Sequence, residues 1–165
     1  MASQDQSIVE ALAVRLADIA TANGYRTNAG LYVDPDEREA KEDEDTFPRL
    51  TWTDRAEEVV EQIFETDAPL ADRTVTEIVF TVVGFDRVET GESPGDLARV
   101  LCADIKQAMI RADDKRLSGR LMDPLRYIGR VIERPDTGRR LVAVEARFSA
   151  RYLEQAGDPD AQLTN

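Results

Sequence analysis

Few residue types in this 165-residue chain could carry out chemistry. Histidine is absent, which removes the most common general base and the most common metal ligand. The single cysteine, Cys102, lies among apolar residues at helical spacing. A thiolate nucleophile needs electropositive, partly open surroundings and usually a histidine. The sequence therefore predicts that Cys102 is a core residue and that the chain is not an enzyme.

Carboxylates are the other candidates, and they are concentrated in residues 34–45. This segment holds eight acidic and two basic residues and no apolar side chain larger than alanine. A calcium loop starting at Asp34 would need glycine at its sixth position and glutamate at its twelfth, where the chain has Glu39 and Asp45. We therefore predict a mobile acidic loop that binds no metal. Its acidic residues are Asp34, Asp36, Glu37, Glu39, Glu42, Asp43, Glu44 and Asp45.

The charge of the chain is unevenly distributed. The net charge is −12, yet residues 115–151 contain ten basic and four acidic residues, a net of +6. Such asymmetry is typical of chains that meet partners, or copies of themselves, through complementary patches. Strong overall acidity argues against tight binding to duplex DNA. No apolar run approaches a membrane span, and the first residues do not resemble a signal peptide, so we expect a cytoplasmic product with no membrane contact.

Residues 140–153 give the clearest structural signal. Apolar and polar residues alternate along this segment, as in a strand with one buried face. Residues 135–138, Pro-Asp-Thr-Gly, are of types that favour a turn. Residues 125–134 are therefore predicted to form a hairpin with the strand at 140–153. Upstream, residues 74–85 are apolar on both faces, which favours a central strand.

The remaining elements are assigned from periodicity and capping signals. Helices are predicted over residues 7–23, ended by Gly24, and over residues 96–110, preceded by an N-cap at Ser93 and a first-turn proline at Pro94. Short strands are predicted over residues 30–33 and 47–52, with Trp52 as a core anchor. Residues 111–124 are predicted to be a polar connector.

Residues 54–65 are ambiguous. Asp54 with Glu57 matches a capping box, and the apolar residues recur at helical spacing, yet they are β-branched or aromatic.

The order of these elements resembles the tail terminator, or tail completion, proteins of long-tailed bacteriophages. The resemblance covers most of the chain and is one of pattern. It is carried by the opening helix ending in Asn23-Gly24-Tyr25, the strand FPRLTW at 47–52, the strand at 75–85, the helix at 96–110 with Ala103-Asp104-Ile105 at its centre, and the strand at 142–152. In that family, the region after the proline-led strand is commonly strand and loop. The resemblance therefore favours a strand over a helix for residues 57–64.

The resemblance implies an α+β fold: a two-layer, mostly antiparallel sheet with two main helices packed on one face. Residues 1–153 would form this single domain, and residues 154–165 a flexible tail. It also implies a structural virion protein, assembled in the host cytoplasm and located at the head-proximal end of the tail. The family forms a six-subunit ring that caps the tail tube, ends its polymerisation and joins tail to head. Implied partners are copies of itself, the tail tube protein and the head-completion or connector protein. DNA passes through the ring without sequence-specific binding, and no catalytic residues or cofactors are implied.

A candidate subunit or partner interface follows from the basic C-terminal region. Simple alternation places Arg126 and Arg130 on one side of their strand. In a head-to-tail ring, two different surfaces of each subunit meet, so that basic and acidic patches can pair. The alternative is that these side chains are solvated and contribute little. The candidate residues are Arg126, Arg130, Glu145, Arg147 and Arg151.

Two other functions fit the same pattern. One is another head–tail neck or completion ring protein. The other is a small homodimeric α+β binding module. The molecular mass in solution separates the dimer from a ring, whereas the sequence does not separate the two kinds of ring protein.

Overall fold

The fold contains two helices and one five-stranded sheet within the part of the chain that the structure describes. A computed structural model of the protein describes residues 4–34, 46–63, 73–133, 135 and 140–155. Short 3-10 helices span Thr21–Asn23 and Ala29–Leu31. The main elements, in chain order, are α1 (Gln4–Ala17), β1 (Val33–Asp34), β2 (Arg49–Ile63), β3 (Arg73–Arg87), α2 (Pro94–Met109), β4 (Arg126–Glu133) and β5 (Leu141–Gln155).

The sheet has the spatial order β1-β2-β3-β5-β4. Neighbouring strands are antiparallel, apart from the short β1, which runs parallel to β2. β3 is central, as its two apolar faces predicted, and it pairs with β2 on one side and β5 on the other. β4 and β5 form the predicted C-terminal hairpin, with Arg126 opposite Ser149 and Glu133 opposite Ala143.

Both helices lie on one face of the sheet, so the predicted two-layer α+β class is confirmed. α2 packs on β3, β5 and β4, and α1 packs beside α2. The predicted buried side of the last strand is correct throughout, from Val142 to Tyr152. Trp52, Phe80 and Phe148 form a row of aromatic rings across β2, β3 and β5, with centroids 5.4 and 5.9 Å apart. Cys102 is fully buried in the same core, as predicted.

Local chemistry determines where α2 begins and how closely it approaches the sheet. The Ser93 hydroxyl accepts a hydrogen bond from the Asp96 amide at 3.4 Å, and Pro94 occupies the first turn, as predicted. Under the helix lies Gly84 of β3. A Cβ atom there would stand 2.6 Å from the Leu101 side chain, so the glycine allows close helix–sheet packing.

α1 is shorter than predicted, because a later turn packs against its end. It stops at Ala17 rather than Asn23. The Gly30 amide donates to the Ile19 carbonyl at 2.9 Å, and a Cβ on Gly30 would approach the carbonyl oxygens of Leu16 and Ala17 within 2.6 Å. Gly24 is left-handed as predicted, with φ of 86°, but it caps a 3-10 helix instead of α1.

Two strand predictions also need correction. The predicted strand at residues 30–33 is largely a 3-10 helix, and only Val33–Asp34 pairs as a strand. The predicted strands at residues 47–52 and 57–64 are parts of one continuous strand, β2, which starts at Arg49 and has register shifts at 53/55 and 59/61. The strand assignment within residues 57–63 is therefore confirmed over the helical alternative.

The acidic segment and the tail lie mostly outside the described residues. Of residues 34–45 only Asp34 is described; it belongs to β1, and its carboxylate lies 3.3 Å from the Arg49 guanidinium. β5 continues to Gln155, two residues past the predicted end of the domain, and the rest of the tail is outside the described ranges. The predictions of mobility for both segments remain predictions.

Candidate functional site

The candidate site is the face of the sheet opposite the helices, together with the sheet's two outer edges. We call this the second face. Its central positions carry short side chains, several of them buried even though neither helix lies over them, and its charged positions lie on all four long strands. The residues of the second face considered below include Thr51, Glu77, Val79, Thr81, Val83, Glu145, Arg147, Ser149 and Arg151.

Among the described residues, three pairs of opposite charge lie on the second face. One is the Arg49–Asp34 pair of β2 and β1. Arg151 lies 3.2 Å from Glu77 on the neighbouring strand, directly across the β3–β5 register. Arg147 lies 3.6 Å from Glu145 two positions earlier on β5. These four side chains neutralise one another within one subunit. The three predicted site residues on β5 therefore already have partners in the same chain.

Arg126 and Arg130 were predicted to share one face of their strand, and this is wrong. A register shift between Tyr127 and Gly129 makes Ile128 an extra residue in β4. Arg126 consequently lies opposite Ser149 on the second face, whereas Arg130 lies opposite Ala146 on the helix-covered face. Both side chains are exposed, and both belong to the strand at the sheet's edge. The bulge separates two cations that simple alternation would have placed together.

β4 also presents apolar side chains that the sequence analysis did not single out. Ile128 and Val131 are 54% and 44% exposed. They alternate with the two arginines in the segment Arg126-Tyr127-Ile128-Gly129-Arg130-Val131. Exposed apolar residues on an edge strand are unusual, because natural edges commonly carry charged side chains, bulges or a covering element that discourage further pairing. The signal that could have revealed them is the apolar–basic alternation of this segment.

The other outer edge of the sheet belongs mostly to β2. β1 covers only Leu50 and Thr51 of that edge. Beyond Thr51, β2 has no strand on its outer side within the described ranges. The exposed side chains along this stretch include Glu58, Val60 and Glu61, with Val60 43% exposed. The chain thus has two outer strand edges, one with basic and one with acidic exposed residues.

Tyr127 lies near the only cysteine and a lysine on α2. The Tyr127 hydroxyl is 4.0 Å from the Cys102 sulfur, and the Lys106 ammonium is 4.3 Å from the centre of the Tyr127 ring. Burial raises the pKa of Tyr127, the nearby Cys102 raises it further, and the charge of Arg130 opposes both. A tyrosine held in its neutral form beside a buried thiol gives the core a polar contact and no reactive group.

A cleft of about 310 Å³ lies where β3 leaves the sheet, with Phe47, Asp86, Arg87, Glu89, Glu92 and Leu97 around it. The Arg87 guanidinium lies 5.2 Å from the centre of the Phe47 ring. Burial raises the pKa of the Asp86 carboxyl. The Arg87 amide donates a hydrogen bond of 2.8 Å to this carboxyl, which lowers its pKa and partly offsets the effect of burial. The cleft combines three carboxylates with no nucleophile, so its geometry does not suggest a catalytic role.

Asp104, the most deeply buried carboxylate among the described residues, has a structural role. It accepts hydrogen bonds from the Arg26 and Thr27 amides, the shortest at 2.7 Å, and thereby ties α2 to the loop after α1. Among the described residues, no group of three or more possible metal ligands comes together. No helix in the described ranges is long and apolar enough to cross a membrane.

A comparison with models of known protein families found no family that matches this chain, and no curated protein matches it at a significant level.

Proposed function

We propose that this chain is a structural protein of a phage tail, forming a ring that caps the tail tube, ends its polymerisation and provides the surface that joins the tail to the head. The feature that supports this most is the arrangement of the sheet. Its helices cover one face only, and its two outer edges carry exposed residues of opposite charge. A subunit with two different complementary sides suits a head-to-tail ring, in which each contact is between unlike surfaces.

The charge of the second face fits a channel through which DNA passes. Arg147 and Arg151 are paired with Glu145 and Glu77, and the chain as a whole is strongly acidic. Binding to duplex DNA depends on clustered cations that replace counterions on the phosphates. Because the arginines at the centre of this face are already neutralised, the face should hold DNA weakly, so that DNA can slide along it without sequence-specific binding. Arg126, on the same face, lies at the edge of the sheet.

A non-catalytic role is consistent with the chemistry of the described side chains. Cys102 is fully buried, Asp104 is satisfied by backbone amides, and histidine is absent from the chain. Assembly in the host cytoplasm and location in the finished virion are parts of the same proposal.

The test combines sedimentation with tube assembly. The purified protein would be studied by analytical ultracentrifugation over a wide range of concentrations. It would then be mixed with the polymerising tail tube protein encoded in the same genome, and tube ends would be imaged by electron microscopy. We expect a closed ring, six-fold as the resemblance implies, at high concentration or on tube ends, together with shorter tubes.

Three results would overturn the proposal. A strict monomer that leaves tube length unchanged would show that the chain neither forms a ring nor caps tubes. A stable dimer with the same lack of effect would favour a small binding module instead. A ring that binds the head connector but leaves tube growth unaffected would assign the chain to another position in the neck.

A further inference from the structure

We infer that the outer edge of β4 pairs with the outer edge of β2 in the next copy of this chain, so that the sheet continues from subunit to subunit around the ring. This inference rests on the proposed function, because it requires a ring. It goes further by naming the strands that join the subunits and the residues that select the pairing.

The two edges are suited to strand pairing. β4 is eight residues long, and β2 continues for twelve residues beyond Thr51, the last residue that β1 covers. An uncovered strand edge presents a row of backbone amide and carbonyl groups that a further strand can bind. Eight residues span about 26 Å. The two edges therefore offer a contact long enough to hold subunits in one register.

The exposed side chains at the two edges complement one another. β4 exposes Arg126, Ile128, Arg130, Val131 and, at its end, Glu133, and β2 exposes Glu58, Val60 and Glu61. Around Ile128 and Val60, each edge therefore places an apolar residue between charges, basic on β4 and acidic on β2. Cross-strand pairs of opposite charge on the same face stabilise a sheet, whereas like charges oppose it. Arg126, Glu58 and Glu61 all lie on the second face, so Arg126 can pair with a glutamate there. Arg130 lies on the other face and adds to the positive charge of the β4 edge. The pairing of unlike edges is favoured, and β4–β4 or β2–β2 pairing is disfavoured.

Strand direction is consistent with a continuous sheet. The four long strands β2, β3, β5 and β4 alternate in direction across the subunit. β4 and β2 therefore run in opposite directions. In a ring whose subunits are related by rotation about its axis, the β4 of one copy would meet the β2 of the next in an antiparallel arrangement. The antiparallel order of the sheet is then unbroken.

The register determines how far the strands would tilt. Through β5 and β3, the β4 residues Arg126 and Glu133 lie level with Ala56 and Arg49 of β2 in the same subunit. For Ile128 of one subunit to lie opposite the segment around Val60 of the next, the next subunit must shift along the strand direction by about five residues. This shift is repeated for each subunit, that is, for every four strands. With ordinary strand spacing this tilts the strands by roughly 40°, within the range of about 35–45° that closed barrels adopt. The helices would then lie outside, and the second face would line the channel.

Cross-linking tests the proposed contact directly. The double variant Val60→Cys with Ile128→Cys would be treated, after ring assembly, with a short bifunctional maleimide that tolerates a one-residue difference in register. We expect a ladder of covalent oligomers ending at the copy number of the ring. The matched control is Val14→Cys with Ile128→Cys, since Val14 is 67% exposed but lies on α1. The wild-type chain controls for Cys102, which is buried.

Charge reversal tests whether the pairing is selective. Reversing both arginines (Arg126→Glu with Arg130→Glu) or both glutamates (Glu58→Arg with Glu61→Arg) creates like charges across the contact. Each double variant should raise the concentration needed for half-assembly by about tenfold or more. A chain carrying all four substitutions should recover assembly, because its edges are again complementary. Arg99→Glu, at an exposed position of α2, should assemble like the wild type.

The outcomes separate this inference from the proposed function. Rings or capped tubes that give no cross-linked ladder in the variant Val60→Cys with Ile128→Cys would overturn the edge pairing and leave the proposed function standing. So would a quadruple variant that assembles no better than the double variants while circular dichroism shows a native fold. If the wild type forms neither rings nor caps, both proposals fail. If a variant does not fold, hydrogen exchange of the wild type provides the test. We expect the amides of β4 and β2 to exchange more slowly after assembly. Unchanged exchange in both strands would show that they do not pair.

Discussion

The two faces of the sheet differ in what they bury. On the covered face, β3 contributes Phe80 and Val82 to an apolar core against α2. On the second face, the same strand contributes Val79, Thr81 and Val83, alongside charged pairs that include Arg151 with Glu77. The core cluster of large, interlocking side chains lies on the covered face. The second face carries mainly short side chains at its centre and charged pairs, which leaves its surface available for a role outside the subunit.

The largest expected effect is on the core of the covered face. Phe80→Ala removes a fully buried ring that contacts both Trp52 and Phe148. We expect a loss of about 3–5 kcal/mol in the free energy of unfolding. Val79→Ala, the adjacent residue on the second face, should cost only about 1 kcal/mol. Urea unfolding followed by circular dichroism measures both, and equal losses would show that the two faces stabilise the subunit alike.

Glycine substitutions test the packing of the covered face without removing any atoms. Gly84→Ala places a methyl group 2.6 Å from the Leu101 side chain, so α2 or Leu101 must move. We expect a loss of about 1–3 kcal/mol in unfolding free energy. Gly129→Ala is the control, because a Cβ there meets no atom within 4 Å. It should change stability by less than about 0.5 kcal/mol, and a similar loss from both would contradict the close helix–sheet contact.

The helix layer of the covered face should respond to acid. Burial works against ionisation of Asp114, but hydrogen bonds from the Ser118 amide and from Arg15 of α1 hold its pKa below the ordinary value of 3.8. A depressed carboxyl pKa stabilises the fold above the unfolded pKa, and this contribution is lost as pH falls through the folded pKa.

The variant Asp114→Asn isolates this contribution. It should lower stability by about 1 kcal/mol at neutral pH and flatten the loss of stability below about pH 4. Urea unfolding over a series of pH values measures both effects. Glu133→Gln, at an exposed position, serves as the control. An acid-unfolding curve with unchanged slope would show that Asp114 does not link folding to pH in this range.

The smallest effect is expected from the charged pair of the second face. Arg151 and Glu77 side chains are 35% and 21% exposed, so solvent and salt screen their attraction. A double-mutant cycle with Arg151→Met and Glu77→Gln should give a coupling energy of about 0–1 kcal/mol, falling as salt is added. A coupling of several kcal/mol would mean that this pair holds the subunit together, and that the second face contributes to stability as the covered face does.

Prediction from sequence succeeded where local pattern and tertiary position agree. The alternation in β5, the apolar faces of β3 and the cap of α2 at Ser93 each specify an element through interactions among nearby residues. These elements form the core, so the class of the fold followed from them. The charged residues proposed as interface candidates on the C-terminal hairpin could also be identified, because the alternation of apolar and polar residues predicts the strands that carry them.

Other features depend on contacts between distant residues, which no local pattern contains. The connector at residues 111–124 was predicted to be polar, yet Leu117 and Leu121 are buried in the core. Leu117 and Ser118 adopt left-handed backbone angles there, a conformation that single-residue preferences argue against. The capping box at Asp54 was overruled because β3 supplied a pairing partner along the whole length of β2.

Local sequence patterns were therefore sufficient to identify β3, β4, β5 and α2 and the buried side of β5, and the composition excluded histidine chemistry. Only the tertiary structure decided where α1 ends, since the Gly30 turn packs on its last carbonyls. Only the tertiary structure separated Arg126 from Arg130, because the register of β4 is set by its pairing with β5 and includes one extra residue. Alternation among residues close in sequence marks a segment such as β5 as a strand. The register of a strand and its position at the edge of a sheet depend instead on the strands with which the fold pairs it.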